Sequence, residues 1–372
     1  MAMKRYRLGD FIERSTANNR NLKYKEDLIV GVTSDGVFST PKGNVNGVDL
    51  TPYKIVSNGD FVYNPSRFDL GSIAYRTEGL CIVSHLYQIF HLNEKGKEKI
   101  DPIWLFIYLR RKEFRREVTF RNFGSQRPEF NFNDLSEIVL PLPSIQQQRK
   151  YVDVYLALQS NLATYQSKAD ELKLVCDGYI EELRRKMKCE RIGTYIVESN
   201  VKNSDNKIKE VRSVSVTKEF KLTNAKVNKN ELSNYLVVRP KEIAFVQTTG
   251  NEKVLAFAYN DYDYPVVVSS VDKVFGSKDE NVLDLQYLSL FLSRKEFDRY
   301  ARFNSWGSAR EVFTMDDMND VEIPIPDIKV QQEIVNIHKC YIERQRIADS
   351  LKEQINNICP VLIRGSLLET DN

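Results

Sequence analysis

The chain contains the same statement twice, and that duplication restricts its fold more than any other feature. Leu140-Pro-Leu-Pro-Ser-Ile145 opens a long polar–apolar helical run, and Ile323-Pro-Ile-Pro-Asp-Ile328 opens another; Pro141 and Pro324 lie 183 positions apart in 372 residues. The prolines fix φ and remove N–H donors, which suits an extended entry. Ser144 and Asp327 then stand where a helix takes an N-cap oxygen. Polar first turns follow: Gln146, Gln147 and Gln148, then Gln331, Gln332 and Glu333.

The repeat extends through the whole chain. Leu8-Gly-Asp-Phe-Ile12 recurs as Ile192-Gly-Thr-Tyr-Ile196, and Val30-Gly-Val-Thr33 as Val214-Ser-Val-Thr217. Tyr53-Lys-Ile-Val56 recurs as Tyr235-Leu-Val-Val238, and Ile82-Val-Ser84 as Val267-Val-Ser269. Arg111-Lys-Glu-Phe114 matches Arg294-Lys-Glu-Phe297. Phe123-Gly-Ser-Gln-Arg127 then matches Trp306-Gly-Ser-Ala-Arg310. The ordered series establishes a repeat, and its period is too long for a solenoid. Two homologous globular units result, each followed by one helix.

Residues 28–33, 53–63 and 81–90 are rich in Val, Ile, Tyr and Phe and read as strands. Asn18-Asn19, Ser34-Asp35-Gly36 and Pro41-Lys-Gly-Asn44 are turn signals between them. Trp104 to Val118 reads as a helix, with a counterpart from Leu285 to Tyr300. The first long helix, Ile145 to Lys188, carries a seam of Val152, Tyr155, Gln159 and Leu162. After a skip the seam resumes with Tyr165, Ala169, Leu172, Cys176, Tyr179 and Leu183. The second carries Ile334, Ile337, Tyr341, Arg344, Ala348, Leu351, Ile355, Ile358 and Leu362. Pro360 should kink or end it. Narrow seams predict that the two helices pair antiparallel as a coiled coil; the alternative is that each packs on its own domain. The expected class is α+β with an internal pseudo-two-fold repeat. Residues 1–143 and 189–326 form mixed domains, and 144–188 and 327–372 form the helices.

The chemistry excluded is extensive. His85, His91 and His338 have no ligand partners at metal-binding spacing. No P-loop, dinucleotide glycine motif or nucleophile elbow occurs. Asn64-Pro-Ser-Arg-Phe68 resembles the Asn-Pro-Pro-aromatic loop of amino-methyltransferases, but Ser66 replaces the second proline. Its repeat partner, Gln247-Thr-Thr-Gly250, lacks the motif, so it reads as a turn in a binding domain. Five cysteines, an odd number without CxxC spacing, point to a reducing cytoplasm. The opening residues lack a signal-peptide core, and no apolar run is long enough to span a membrane. The net charge of +3 is too small for wholesale polyanion binding and leaves room for local basic patches.

Polar and basic loops recur at matching places. The first unit offers Asn64, Arg67 and Arg76, then Arg121, Ser125, Gln126 and Arg127. The second offers Gln247, Thr248, Thr249 and Lys253, then Arg302, Asn304, Ser308 and Arg310. Arg, Asn and Gln read base edges, while Lys, Arg, Ser and Thr hold phosphates. Solvated turns and braces for the neighbouring helix are the alternatives.

The doubled proline–glutamine signature, the paired Gly-Ser-x-Arg loops and Leu8-Gly9-Asp10 resemble the DNA-specificity subunit of type I restriction–modification enzymes, over essentially the whole chain. The resemblance implies a non-catalytic subunit whose domains each read one half of a bipartite duplex DNA site. The helices then set the gap and dock methyltransferase subunits, expected to be two, with restriction subunits joining that core. S-adenosylmethionine, ATP and Mg2+ would belong to those partners, and this chain would hold no cofactor. The competing readings are the specificity subunit of a type II-like methyltransferase system and a coiled-coil protein-binding scaffold.

Overall fold

A computed structural model describes residues 4–41, 43, 45, 47–121, 129–223, 226–248, 254–305 and 311–368. The chain divides into two compact units: residues 1–164 with 347–372, and residues 165–346. Each unit thus holds one globular domain together with part of both long helices.

In the first unit the strands are β1 Arg5–Arg7, β2 Ile12–Arg14, β3 Gly31–Val32, β4 Phe38–Ser39, β5 Lys54–Val56, β6 Phe61–Tyr63, β7 Ile73–Tyr75, β8 Cys81–Val83, β9 Gln88–Leu92 and β10 Val139–Pro141. Its helices are α1 Glu94–Lys99, α2 Pro102–Arg110, α3 Lys112–Arg121 and α4 Phe132–Ser136, followed by the long α5 Ile145–Lys186. The second unit continues with β11 Cys189–Arg191, β12 Ile196–Glu198, β13 Arg212–Val214, β14 Phe220–Leu222, β15 Leu236–Val238, β16 Ile243–Phe245, β17 Phe257–Tyr259, β18 Val266–Val268, β19 Lys273–Ser277 and β20 Glu322–Pro324. Its domain helices are α6 Leu285–Leu292, α7 Lys295–Phe303 and α8 Met315–Asn319; the long α9 Ile328–Leu368 follows and, like α5, is divided between the two units.

The predicted repeat is present at the level of topology. A four-stranded antiparallel sheet runs β2-β9-β6-β7 in one unit and β12-β19-β16-β17 in the other. Hairpin β3–β4 corresponds to β13–β14, pair β5–β8 to β15–β18, and pair β1–β10 to β11–β20. The hairpins correct one sequence match. Val32 pairs with Phe38 as Val214 pairs with Phe220, so Val214 corresponds to Val32 and not to Val30.

Three expected elements are subdivided. The 53–63 run is two strands joined by a turn in which Gly59 takes φ +92°. The 81–90 run is β8 and part of β9, while 28–33 contributes only Gly31–Val32. Each expected domain helix is a pair, because Arg111 and Arg294 adopt extended backbone (ψ 149° at both). The repeated Arg-Lys-Glu-Phe motif therefore marks an elbow and the start of a second helix. The Arg111 guanidinium lies 3.7 Å from the centroid of Tyr108, which fixes the elbow to the preceding helix.

The long helices begin as expected. Ser144 Oγ accepts the Gln147 N–H at 3.3 Å, and Asp327 Oδ1 accepts the Lys329 N–H at 2.9 Å. At 42 and 41 residues they span roughly 60 Å each. Within the first unit they run antiparallel, with Tyr151 against Gly365 and Tyr155 near Cys359. Within the second, Cys176 meets the Ile334 carbonyl and Lys173 lies near Tyr341. The seam is buried at Val152, Tyr155, Leu162, Ala169 and Cys176, and at Ile334, Ala348, Ile355 and Leu362. It shifts by one near its end: Tyr179 is exposed and Ile180 is buried.

Pro360 does not end α9. The Asn356 position, whose carbonyl loses its helical donor, is exposed to water. Beyond it, Leu362, Ile363 and Ser366 are buried, and Trp104 Nε1 donates to Ser366 Oγ at 3.0 Å. Packing therefore holds the turns that propensity would release.

Candidate nucleic-acid interface

Each unit begins its candidate surface at the end of a central strand. In the first, β6 delivers the chain into the turn Asn64–Ser72. The Asn64 carboxamide oxygen accepts the Ser66 N–H at 3.0 Å, and its carbonyl accepts the Arg67 N–H at 3.0 Å. Asn64 therefore caps its own turn, as asparagine does where backbone donors lack partners. Gly71 closes the turn at φ +93°, where a Cβ would lie 2.9 Å from the Ser34 carbonyl. Phe68 is buried beneath, with its ring centroid 4.5 Å from Tyr63 and 5.5 Å from Phe130. Arg67 is exposed above it.

A backbone tie holds this turn to the start of the segment that leads into α4. The Pro65 carbonyl accepts the Phe130 N–H at 3.0 Å, so the turn borders Phe130. Arg121 ends α3, ion-paired with Glu117 at 3.1 Å. Ser125, Gln126 and Arg127 lie outside the described residues. Arg76 does not join this group. It sits at the opposite end of the β6–β7 ladder, donating its N–H to the Asp60 carbonyl, with its guanidinium over Phe38. Arg76 Nη2 also reaches the Leu80 carbonyl at 3.5 Å, so this half-buried side chain braces its hairpin.

The second unit repeats the tie with other side chains. The Gln247 carbonyl accepts the Phe313 N–H at 2.8 Å, and Thr248 bridges to Val312. Phe313 is buried against Phe297 and Tyr300 of α7. Thr248 is exposed, Gln247 half-buried, and Arg302 exposed in the last turn of α7. Asn304 caps that helix, with Nδ2 donating to the Tyr300 carbonyl at 2.9 Å. Thr249, Lys253, Ser308 and Arg310 lie outside the described residues.

The signature glutamines serve as clamps. Gln148 is fully buried; its Oε1 accepts the Asp101 N–H at 2.8 Å, and its Nε2 donates to the Lys99 and Pro143 carbonyls. Gln331 does the same with the Asp284 N–H and the Val282 and Pro326 carbonyls. Asp101 and Asp284 are themselves the N-caps of α2 and α6. One carboxamide thus ties the start of each long helix to the start of its domain's helical pair. The sequence marked these residues by repetition without revealing that role. It also left unmarked Phe120 and Phe303, exposed in the last turns of α3 and α7; their 183-residue spacing was the available signal.

The surface is built for contact. Among the described residues no group of His, Cys, Asp and Glu is gathered to hold a metal ion, and no helix is long and apolar enough to cross a membrane. Among its exposed groups are the guanidiniums of Arg67 and Arg302, the Thr248 hydroxyl and the Phe120 and Phe303 rings, the kinds of group that can contact phosphates, base edges and base faces.

The family model for the type I restriction modification DNA specificity domain matches the chain twice, over residues 2–174 and 189–357. The type I restriction–modification S subunit from M. genitalium is similar in structure, with a TM-score of 0.57, 11% identity and coverage of 98% of this chain and 96% of that one. A chain from a study of assembly and conformational transition in a type I system gives 0.50 at 16% identity, with 98% of both chains covered. At such identities these likenesses speak for the fold. No curated protein matches the sequence.

Proposed function

This chain belongs to the type I restriction–modification DNA specificity family, and we propose that its two domains each read one half of an asymmetric duplex site. The observation that carries the reading is a shared frame holding different side chains. The ties Pro65–Phe130 and Gln247–Phe313 are equivalent, as are the glutamine clamps. The presented residues are not. In sequence, Asn64-Pro-Ser-Arg67 corresponds to Gln247-Thr-Thr-Gly250, Arg121 to Asn304, and Gln126 to Ala309. Two different half-sites follow from two different reading surfaces, each bidentate contact contributing roughly 1–3 kcal/mol of discrimination.

Asn64, Arg67, Arg76, Arg121, Gln247, Thr248, Arg302 and Asn304 are the described candidates for contact, of which Asn64, Arg76 and Asn304 also make hydrogen bonds within their own loops or helix end. The paired helices set the unread gap and dock methyltransferase subunits, two per chain, which restriction subunits join. Methyl transfer from S-adenosylmethionine and ATP- and Mg2+-driven work belong to those partners, in the cytoplasm.

The test is a methylome. Expressed with its methyltransferase in an unmethylated host, this chain should produce one two-part motif with a fixed gap. Exchanging residues 1–143 for another recognition domain should change one half alone. Chain-independent methylation, or none from an active soluble complex, overturns the proposal. Matched four-residue insertions in α5 and α9 add about 6 Å, under two base-pair steps of about 3.4 Å. They should alter the gap and leave both half-sites unchanged.

A further inference from the structure

Resting on that DNA-reading function, we propose that Phe120 and Phe303 are wedges that insert against the base stack of the duplex. Arg116 and Arg299, one helical turn earlier, hold the adjacent phosphates. The two phenylalanines are 81% and 80% exposed, more than any other large apolar side chain among the described residues. A single ring in water is common on a protein surface. Here the same ring stands in water at the same step of two diverged helices.

Packing does not require these rings. The other aromatic kept on these helices, Phe114 in α3 and Phe297 in α7, is buried and fills the domain core. Around the exposed rings the two helices have drifted apart: Glu117 corresponds to Tyr300, Thr119 to Arg302 and Arg121 to Asn304. Beyond the Lys-Glu pair that opens each helix, what both keep on their open face is an arginine and a phenylalanine at i and i+4, which are neighbours on a helix surface. The arginine side chains are 77% and 76% exposed, with only short-range pairing to Glu113 at 3.6 Å and Glu296 at 3.1 Å.

A guanidinium one turn behind a phenyl ring matches a ligand that carries phosphate and an aromatic face side by side. Nucleic acid has that composition. An apolar protein pocket would take the ring and give no reason to keep the cation beside it. Each pair also leads directly into a Gly-Ser-x-Arg segment, Gly124 to Arg127 and Gly307 to Arg310. The two half-sites differ while this pair does not, so its contact is independent of base identity. Apolar wedges between base steps unstack and kink the duplex. Each half-site should therefore contain one distorted step, set by the domain's shape.

The full chain, assembled with its methyltransferase, is bound to a duplex carrying the methylome-defined motif. A fluorescent adenine analogue is placed at successive positions in each half-site. The wild type should brighten the analogue at one step per half-site. Phe120→Ala should abolish the first signal and weaken binding about tenfold, and Phe303→Ala should do the same for the second. Phe120→Trp and Phe303→Trp should keep both signals, and unfolding temperatures should not move, since the rings are exposed. Alanine variants with wild-type signals and affinity would overturn the inference while leaving the DNA-reading function intact. Variants that instead lose the methyltransferase would show a protein contact and overturn it equally. A wild-type complex that cannot distinguish its motif from a scrambled duplex removes both the function and the wedges.

Discussion

The hairpins β3–β4 and β13–β14 turn the same corner with their charges placed on opposite sides. The corner residue is left-handed in both: Gly36 at φ +76° and Lys218 at φ +65°. In the first unit the cation comes from the helix. Arg110 Nη2 donates to the Ser34 carbonyl at 3.3 Å, and its guanidinium occupies the space a Gly36 side chain would fill. In the second unit Ser293 stands where Arg110 would be, and the cation comes from the turn. Lys218 Nζ donates to the Leu292 carbonyl at 3.1 Å and pairs with Asp298 at 2.8 Å. The counterpart of Asp298 is Arg115, which donates to the Asp69 carbonyl instead. One cation joins corner to helix in each domain, supplied from opposite ends. The frame is therefore kept by sets of residues that change together. The glutamine clamps show the contrasting case: a group that must accept once and donate twice in a closed space has no substitute, and it is unchanged.

The clamps give the largest expected effect. Gln148→Ala leaves one N–H and two carbonyls without partners at a fully buried point. At about 1–3 kcal/mol per orphaned group, with incomplete additivity, the loss is about 3–5 kcal/mol. Gln331→Ala should cost the same. Hydrogen exchange on the full chain checks this, since two units need not unfold together. Loss of protection should localise to the unit that carries the substitution. A large effect at one glutamine only would break the equivalence.

Next comes the ion pair at the second corner. The Lys218 side chain is 11% exposed, and burial lowers its pKa despite the neighbouring Asp298. Lys218→Gly relieves the left-handed backbone and strands Asp298, for a net loss of about 3 kcal/mol. Lys218→Gly with Asp298→Ala should recover much of it. A double-mutant cycle by hydrogen exchange with no coupling would show that the lysine acts only through its stem.

A smaller and opposite effect is expected at Asp272. Its counterpart, Tyr87, accepts the Val32 N–H through its hydroxyl at 3.2 Å. Asp272 is a buried carboxylate whose pKa burial raises to about 6, against a lowering by the Ser269 backbone. The folded state thus binds this proton more tightly than the unfolded chain does. Stability of the second unit should fall as pH rises from about 4 to about 6 and level off above that. Asp272→Asn should remove that slope and stabilise the second unit at pH 7.5 by about 2 kcal/mol. Urea unfolding across that range measures it, and an unchanged slope would reject the assignment.

Much of this was legible in the sequence, because the chain carries its own comparison. The repeat, the caps Ser144 and Asp327, the helical seam and the antiparallel pairing follow from spacing alone. What escaped depends on how the folded backbone is already engaged, by neighbours in sequence as well as by distant packing. Arg111 and Arg294 break helices that local pattern would continue. Pro360 fails to break one, because the turns beyond it are buried. Asn64 and Arg76 carry reader chemistry, yet one caps its own turn and the other spans a hairpin. Residue type announces what a side chain can bind and stays silent on whether the backbone has already engaged it.

The smallest effect tests the corner from the other side. Gly36→Ala places a Cβ at φ +76°, which costs about 1–2 kcal/mol for an L-residue. The Cβ would also lie 2.5 Å from Arg110 Nη1. Cζ and Nε of Arg110 would lie at 2.6 and 2.8 Å as well, so the whole guanidinium at the end of this flexible side chain moves aside and releases the Ser34 carbonyl, an exposed-side bond worth little. Gly36→Ala with Arg110→Ser should therefore cost barely more than Gly36→Ala alone. Gly36→Lys with Arg110→Ser should be worse than either, because the new ammonium arrives beside Arg115 where Lys218 finds Asp298. Adding Arg115→Asp should restore stability, measured by exchange in the first unit. If the lysine graft is tolerated without that third change, the two corners are held by shape alone and their charges are incidental.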